Sequence, residues 1–315
     1  MKQYVQLLKN ALELGEVRND RTGVGTKSIF GGQVSFDLTA SFPLVSIKKT
    51  LWRSAFIEML WFIRGEQNTK FLKDHNVPIW DDWADSAGNL GPVYGVQWRK
   101  WPGKLHKLSL TEVYQACNPT SGHPLASQNI VSTENLIGQS EHRAENGDAV
   151  YIYQEKVDQL KQLIDGIKKS PNGRRHIVTA WNPGFISEMG LPPCHRDFQC
   201  YATNDGQLDL MMAIRSWDLG LGAPFNIAQY ALLTHLIARA TGRTARRLLI
   251  NHGDAHVYLN HVEPLTKLLA EVEPKQETAR LVISTDNVDI DKYKIDDFSI
   301  EGYDPHPFLK LPIAV

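Results

Sequence analysis

Apolar side chains recur at helical spacing where the chain begins. Tyr4, Leu7, Leu8, Ala11 and Leu12 share one face of a 3.6-residue period, and the spacing predicts a helix over 3–14. The polar, glycine-bearing run RNDRTGVGT predicts a loop. Ile29, Val34, Phe36 and Leu38 lie in strand-like stretches, the last three in clean alternation, and SFPLVS reads as a short extended piece. LWRSAFIEMLWFIRG is apolar almost all round, which predicts a buried helix with Glu58 in its middle. The helical period returns at Val157, Leu160, Leu163, Ile164 and Ile167 and stops at SPNG. RRHIVTAW reads as a strand. DFQCYAT, the turn NDG and QLDLMMAIRS read as a hairpin in which Leu208, Leu210, Met212 and Ile214 alternate. NIAQYALLTHLIARATG predicts a long buried helix ended by Gly242. RRLLINHGDAHVYLNHVEPLTKLLAEV reads as strand, turn and helix, and ARLVIST and DFSIEGYDPHP as two late strands or extended pieces. Helices and strands mix without a βαβ rhythm, which predicts an α+β fold with a mixed sheet flanked by helices.

The stretch 103–150 differs. It is rich in Ser, Asn, Gly and Glu and carries no sustained period, so it reads as a partly irregular surface insertion with a short helix near Leu110 to Cys117. The remainder reads as one catalytic domain spanning 1–315.

Composition narrows the classes of function. With 315 residues, 42% apolar and 22% charged, the chain can bury a sizeable core. A formal net charge of −1 gives no general attraction to nucleic acid or an acidic membrane, so anion binding must come from local arginines. Three cysteines, Cys117, Cys194 and Cys200, form neither a disulfide framework nor a CxxC zinc pair. No stretch has the apolar length of a membrane span, and the start of the chain lacks a signal-peptide pattern, so cytoplasm is the expected location.

Cys194, in MGLPPCHRDFQCY, is the candidate nucleophile. Its neighbours in the hairpin and the start of the next helix are His195, Gln199, Arg215, Asp218 and Asn226. Only a thiolate attacks, and a nearby arginine would lower the thiol pKa. Cys117 and Cys200 read as inert. Arg21 in a loop, the pair Arg174 and Arg175 after a turn, and Arg215 beside Ser216 at a strand end suggest a clamp for a dianion. Asn226 opens an apolar helix. It reads either as an N-cap or as a base reader, because an amide offers the donor and acceptor that match O4 and N3–H of uracil. His256 and Tyr258 lie on one face of an extended stretch, as sugar contacts or as a structural pair. Glu58 must be paired or protonated, as a structural or a functional acid. Trp80, Trp83, Tyr94, Trp98 and Trp101 crowd a loop-rich region, where core and ligand cleft are both open readings.

The ordered set NDRTG, EMLWFIRG, IWDDWAD, GPVYGVQWR, RRHIV, LPPCH, RSWDLGLGAPFN, GDAHVYLNH and EGYDPHPFLKLPIAV resembles the folate-dependent, cysteine-nucleophile thymidylate synthase family nearly end to end. The resemblance implies a methyltransferase that packs as a homodimer, sheet against sheet. It turns deoxyuridine monophosphate (dUMP) into thymidylate with 5,10-methylenetetrahydrofolate, leaving dihydrofolate, and needs no metal. By the same resemblance Cys194 attacks C6. Arg21, Arg215 and Ser216 hold the phosphate, with Arg174 and Arg175 arriving from the second subunit. Asn226 reads the uracil with Gln199 and Asp218 nearby, and His256 and Tyr258 hold the 3′-hydroxyl. Glu58, Tyr94 and His195 serve proton transfer. Ile79, Trp80, Trp83, Leu191, Asp218, Leu221, Gly222, Phe225, Ala314 and Val315 line the folate cleft, with the apolar tail as a latch. The chain departs from the common pattern at Leu51, Ile214, Trp217 and Gly220 and at Arg196–Asp197. Two alternatives stand beside this. One is a pyrimidine deoxynucleotide hydroxymethylase, in which water replaces hydride. The other is a non-catalytic nucleotide- or RNA-binding relative, which near-neutral charge does not favour.

Overall fold

A computed structural model describes residues 1–126, 130–273 and 275–313. The chain packs as two compact units, one formed by residues 1–98 with the chain from Leu160 onward, the other by Arg99–Gln159.

The first unit is built on a six-stranded sheet. In chain order its strands are β1 (Glu16–Arg18), β2 (Thr26–Asp37), β6 (Ile177–Thr179), β7 (His195–Ala202), β8 (Gln207–Asp218) and β9 (Thr244–Tyr258), and their spatial order is β1-β2-β9-β8-β7-β6. Only β8 and β9 run parallel; the other pairs are antiparallel, so the sheet is mixed. The expected alternation on β8 is present: Leu208, Leu210, Met212 and Ile214 are buried. They meet α7 (Gly222–Ala240), whose apolar residues are buried nearly all round. Gly242 ends this segment with a backbone φ of +67°, a left-handed conformation that costs glycine little. The other described α-helices lying wholly or mostly in this unit are α1 (Lys2–Leu14), α2 (Trp52–Arg64), α3 (Lys70–Asp74), α4 (Tyr94–Lys100), α6 (Gln159–Lys169) and α8 (Leu259–Glu271), with α2 buried from Ala55 to Ile63. A hairpin-like pair, β10 (Arg280–Ile283) with β11 (Phe298–Glu301), stands apart from the main sheet.

Three local expectations need correction. Val157 ends strand β5 (Val150–Val157), paired with Trp101, and the helix starts at Gln159; the apolar positions that repeat helically begin at Leu160. The turn expected between strand and helix is not there: β9 runs unbroken to Tyr258 and α8 starts at Leu259, and Gly253 lies where a Cβ would stand 2.9 Å from the Arg215 carbonyl oxygen. Asn226 does not open α7. The helix starts four residues earlier, with Pro224 in its first turn, where its missing N–H costs nothing.

The second unit holds a three-stranded antiparallel sheet in the order β3-β5-β4, from β3 (Trp101–Ser109), β4 (Leu136–Gln139) and β5 (Val150–Val157), plus α5 (Leu110–Ala116). A capping box between Ser109 and Glu112 starts that helix. Its core is small: Leu108, Ile130 and Tyr153. The stretch 103–150, expected as a partly irregular insertion with a short helix near Leu110 to Cys117, carries that helix as α5 and strands besides. β4 is exposed at every residue, so no buried face marks it in the sequence. Among the described residues no helix is long and apolar enough to cross a membrane.

Candidate active site

Cys194 stands immediately before β7, partly exposed, behind Pro192 and Pro193. Its N–H donates to the Tyr94 hydroxyl at 2.7 Å. Its carbonyl accepts from the Arg215 N–H at 2.9 Å, which binds the residue to β8. The Arg215 side chain is fixed as well: Nε donates to Pro193 O at 2.9 Å and Nη2 to Pro192 O at 3.0 Å, and the guanidinium lies 5.4 Å from the Trp181 ring centre. Arg215 therefore sits inside β8, three residues from its end, and not at the strand end as expected.

The thiol pKa runs against the simple expectation. Burial raises it; Arg215 and a hydrogen bond with Tyr94 lower it, Asp218 raises it, and the net displacement is upward. Desolvation outweighs the arginine here. Cys200 is fully buried and its thiol is pushed far up by burial, consistent with an inert residue.

A buried polar chain runs away from the thiol. Tyr94 stacks on Phe62 (4.6 Å between ring centres) and its ring lies 5.1 Å from that of His195. His195 is buried and its pKa falls to about 4, because burial disfavours the cation more than a hydrogen bond with Asn226 supports it. Its Nδ1 has no partner among the described residues. Asn226 Nδ2 donates to Gln229 Oε1 at 3.3 Å, Gln229 Nε2 donates to Glu58 Oε2 at 2.5 Å, and the Trp80 indole N–H donates to Glu58 Oε1 at 2.6 Å. Burial lifts the Glu58 pKa to about 7 against the pull of these two donors. The network joins four separate segments of chain, and α7 supplies two of its members one turn apart.

Asp218 closes β8. Its Oδ1 accepts from Gly220 N–H at 2.8 Å, and both oxygens lie 3.3 Å from Leu221 N–H. This satisfies free donors ahead of α7 and fixes the loop over Leu221 and Gly222. Ile79, Trp83, Leu191, Leu221 and Phe225 are partly buried apolar residues against the core, as a flat ligand requires of its walls. Trp80 is more deeply set, with its indole N–H committed to Glu58.

His256 and Tyr258 end β9, in register with Asp218 and Thr26. His256 Nδ1 lies 3.0 Å from Asp254 Oδ1, and the His256 and Tyr258 rings meet edge to face at 5.2 Å. The Tyr258 hydroxyl pKa is raised to about 12 by burial and by the charges of Asp218, Asp20 and Cys194, while Arg21 lowers it. That places the Arg21 loop, shaped by Asp20 accepting from Gly25 N–H at 2.7 Å, within electrostatic reach of the same centre. Ser216 pairs in register with Asp254.

Other expected residues stand elsewhere. Gln199 alternates with the core residues Phe198 and Cys200, pairs with Met211, and so points to the sheet face opposite α7. It is not brought to Cys194. Arg174 and Arg175 are exposed on the approach to edge strand β6. Ala314 and Val315 lie outside the described residues. Among the described residues no group of three or more His, Cys, Asp or Glu is placed to hold a metal.

Sequence reasoning missed Gln229, Trp181 and Lys48. Gln229 is fully buried and bridges Asn226 to Glu58; its signal was an amide three residues after Asn226 in an otherwise apolar helix. Lys48 is buried, donates to Gly220 O at 2.6 Å, and has its pKa lowered to about 8 by burial despite the nearby Asp218. The model of the family described as Thymidylate synthase matches residues 2–315. The chain belongs to that family.

Proposed function

We propose that this member of the thymidylate synthase family methylates dUMP reductively to thymidylate, with 5,10-methylenetetrahydrofolate as co-substrate and dihydrofolate as the second product. The observation that carries the reading is the polar chain His195–Asn226–Gln229–Glu58, buried except at the half-buried Asn226, beside a partly exposed thiol held between Tyr94 and Arg215.

Cys194 is the nucleophile. Most of it is thiol at neutral pH, so the attacking thiolate forms as the nucleotide is engaged, with Arg215 and Tyr94 stabilising the anion. Addition of sulfur to C6 puts charge on O4 and nucleophilic character on C5. Asn226 presents a carboxamide whose donor suits O4 and whose acceptor suits N3–H. A carboxyl with pKa near 7 can give and take a proton at working pH, and Glu58 does this for the pyrimidine through water, while the amides of Gln229 and Asn226 hold the carboxyl and the base in place without carrying the proton. His195 stays neutral and contributes hydrogen bonding, not charge. Arg21, Arg215 and Ser216 receive the phosphate, and His256 and Tyr258 the sugar. The folate supplies a one-carbon unit and a hydride; Ile79, Trp80, Trp83, Leu191, Leu221 and Phe225, with Asp218, hold it and exclude water.

The active form is a homodimer. The sheet face opposite α7 carries Tyr201 (64% exposed) and Ile177 (48% exposed) beside the partly buried Met211 and Leu249. A second copy covers this apolar face and brings Arg174 and Arg175 to the neighbouring phosphate site. The protein works in the cytoplasm.

The test is a spectrophotometric assay with dUMP and methylenetetrahydrofolate. Dihydrofolate formed in proportion to thymidylate supports the reading. Tetrahydrofolate with 5-hydroxymethyl-dUMP would replace it by hydroxymethylation, and no consumption of either substrate would refute both.

A further inference from the structure

Residues 303–313 run back across the first unit and are tied to it at several points. The Tyr303 hydroxyl donates to Val45 O at 2.7 Å and accepts from Thr50 N–H at 2.8 Å, and His306 N–H donates to Ser46 O at 2.8 Å. Further on, Phe308, Lys310, Pro312 and Ile313 are exposed and only Leu311 is buried. Among the described residues one hydrogen bond fixes this last stretch: His261, in the first turn of α8, places Nε2 2.7 Å from Pro312 O.

His261 is fully buried, which is unusual for an imidazole with a single partner. A carbonyl can only accept, so Nε2 carries the proton and Nδ1 is a bare lone pair. That Nδ1 has no partner among the described residues. The ring edge it occupies is turned to Gly220, where a Cβ would lie 2.6 Å from Nδ1 and 3.3 Å from Leu311 Cδ1. Gly220 leads into Leu221 and Gly222, and Lys48 holds its carbonyl. On its other flank His261 meets the Tyr258 ring edge to face at 5.6 Å. One imidazole thus touches the sugar-side tyrosine, the loop before α7, and the tail.

We infer that His261 is a positioning residue whose Nε2–H holds residues 311–313 against the loop 220–222, keeping the folate side of the site closed. This rests on the proposed reaction, in which a methylene carried on the pyrimidine must meet hydride before water. Gly220 is its matched partner. A Cβ there would overlap Nδ1, so a side chain at 220 must displace either the ring or the loop, and each loosens the contact among 220, 261 and 311–313.

His261→Leu fills the space without a donor, while His261→Gln returns an amide N–H near the position of Nε2. The first measurement needs no turnover: the ligand-free full chain is treated with trypsin, and cleavage after Lys310 is followed by mass spectrometry. Cleavage several-fold faster in the Leu variant, and restored by Gln, is expected. In the assay, KM for methylenetetrahydrofolate rises roughly three- to tenfold, the equivalent of one hydrogen bond, while KM for dUMP changes little. Dihydrofolate formed per C5 hydrogen released falls below the wild-type ratio, a leak that a merely structural role would not produce. Gly220→Ala moves each readout the same way and carries the test should the Leu variant fail to fold. Unchanged trypsin cleavage together with an unchanged ratio in folded His261→Leu overturns the inference. A wild-type chain that makes no dihydrofolate sinks the reaction instead, with the trypsin result still judging the tail contact.

Discussion

Replacing Glu58 by Gln separates the cost of its burial from its work in catalysis. The carboxyl moves from 4.5 to about 7 in the folded chain, with burial the leading cause. At about 1.4 kcal/mol for each tenfold change in proton affinity, this corresponds to roughly 3 kcal/mol. The sign follows from which state holds the proton. Between pH 4.5 and about 7 the folded protein keeps it and the unfolded chain does not, so stability falls as pH rises through that window and levels off above it. His195 and His235, each lowered to about 4 by burial, act in the opposite direction below their ordinary value, so the wild-type curve alone mixes these contributions. The difference between wild type and Glu58→Gln isolates the carboxyl. Both Trp80 and Gln229 donate to Glu58; Gln keeps the shape and accepts from Trp80, and, like the protonated acid, it has one donor side that pairs with Gln229 once that amide presents its oxygen. The two proteins should be close in stability near pH 5. By pH 8 the variant should be ahead by about 2–3 kcal/mol, read by urea unfolding at fixed protein concentration. The same substitution should lower kcat by about 10²–10⁴, the range for losing a general acid–base group. Parallel stability curves for the two proteins would refute a protonated, desolvation-strained Glu58.

Three further outcomes are expected. In a Cys117→Ser background, Arg215→Ala should move the pH midpoint of Cys194 alkylation upward, because Arg215 lowers that thiol's pKa; an unmoved midpoint would remove the arginine from its activation. Asn226→Asp should shift preference from dUMP toward dCMP by about 1–3 kcal/mol in kcat/KM, since a carboxylate accepts from a cytosine amino group and repels uracil O4; unchanged selectivity would take Asn226 off the base. Arg175→Ala and Cys194→Ala should each be inactive alone, yet mixing them under subunit exchange should recover activity up to about a quarter of wild type if each site takes its arginines from the second subunit. Recovery absent from demonstrably mixed dimers would refute an Arg175 supplied across the interface.

The elements that hold the site were legible because each buries one face or all faces. α2 and α7 are apolar nearly all round, and the β7–β8 hairpin alternates about an NDG turn. A one-dimensional period encodes such faces directly. It fails where a contact from elsewhere sets the conformation. The run from Arg246 to Val272 reads as strand, turn and helix, but β9 continues past Gly253, packed against the Arg215 backbone, straight into α8, and Asn226 reads as a cap until Asp218 fixes the loop that starts α7 earlier. Gln199 reads as a neighbour of Cys194 in the hairpin, but strand alternation turns it to the opposite face.

The sequence by itself determined the residue types for thiol addition and anion binding, the helices and hairpin that carry them, and the family. Only the tertiary structure decided which of these residues meet. Glu58, Tyr94, Cys194 and Asn226 come from α2, α4, the lead into β7, and α7, and their meeting depends on how those elements pack. Protonation was decided there too. A neutral histidine, a carboxyl near pH 7 and a thiol raised despite its arginine all follow from how much water packing removes, which the order of residues does not record.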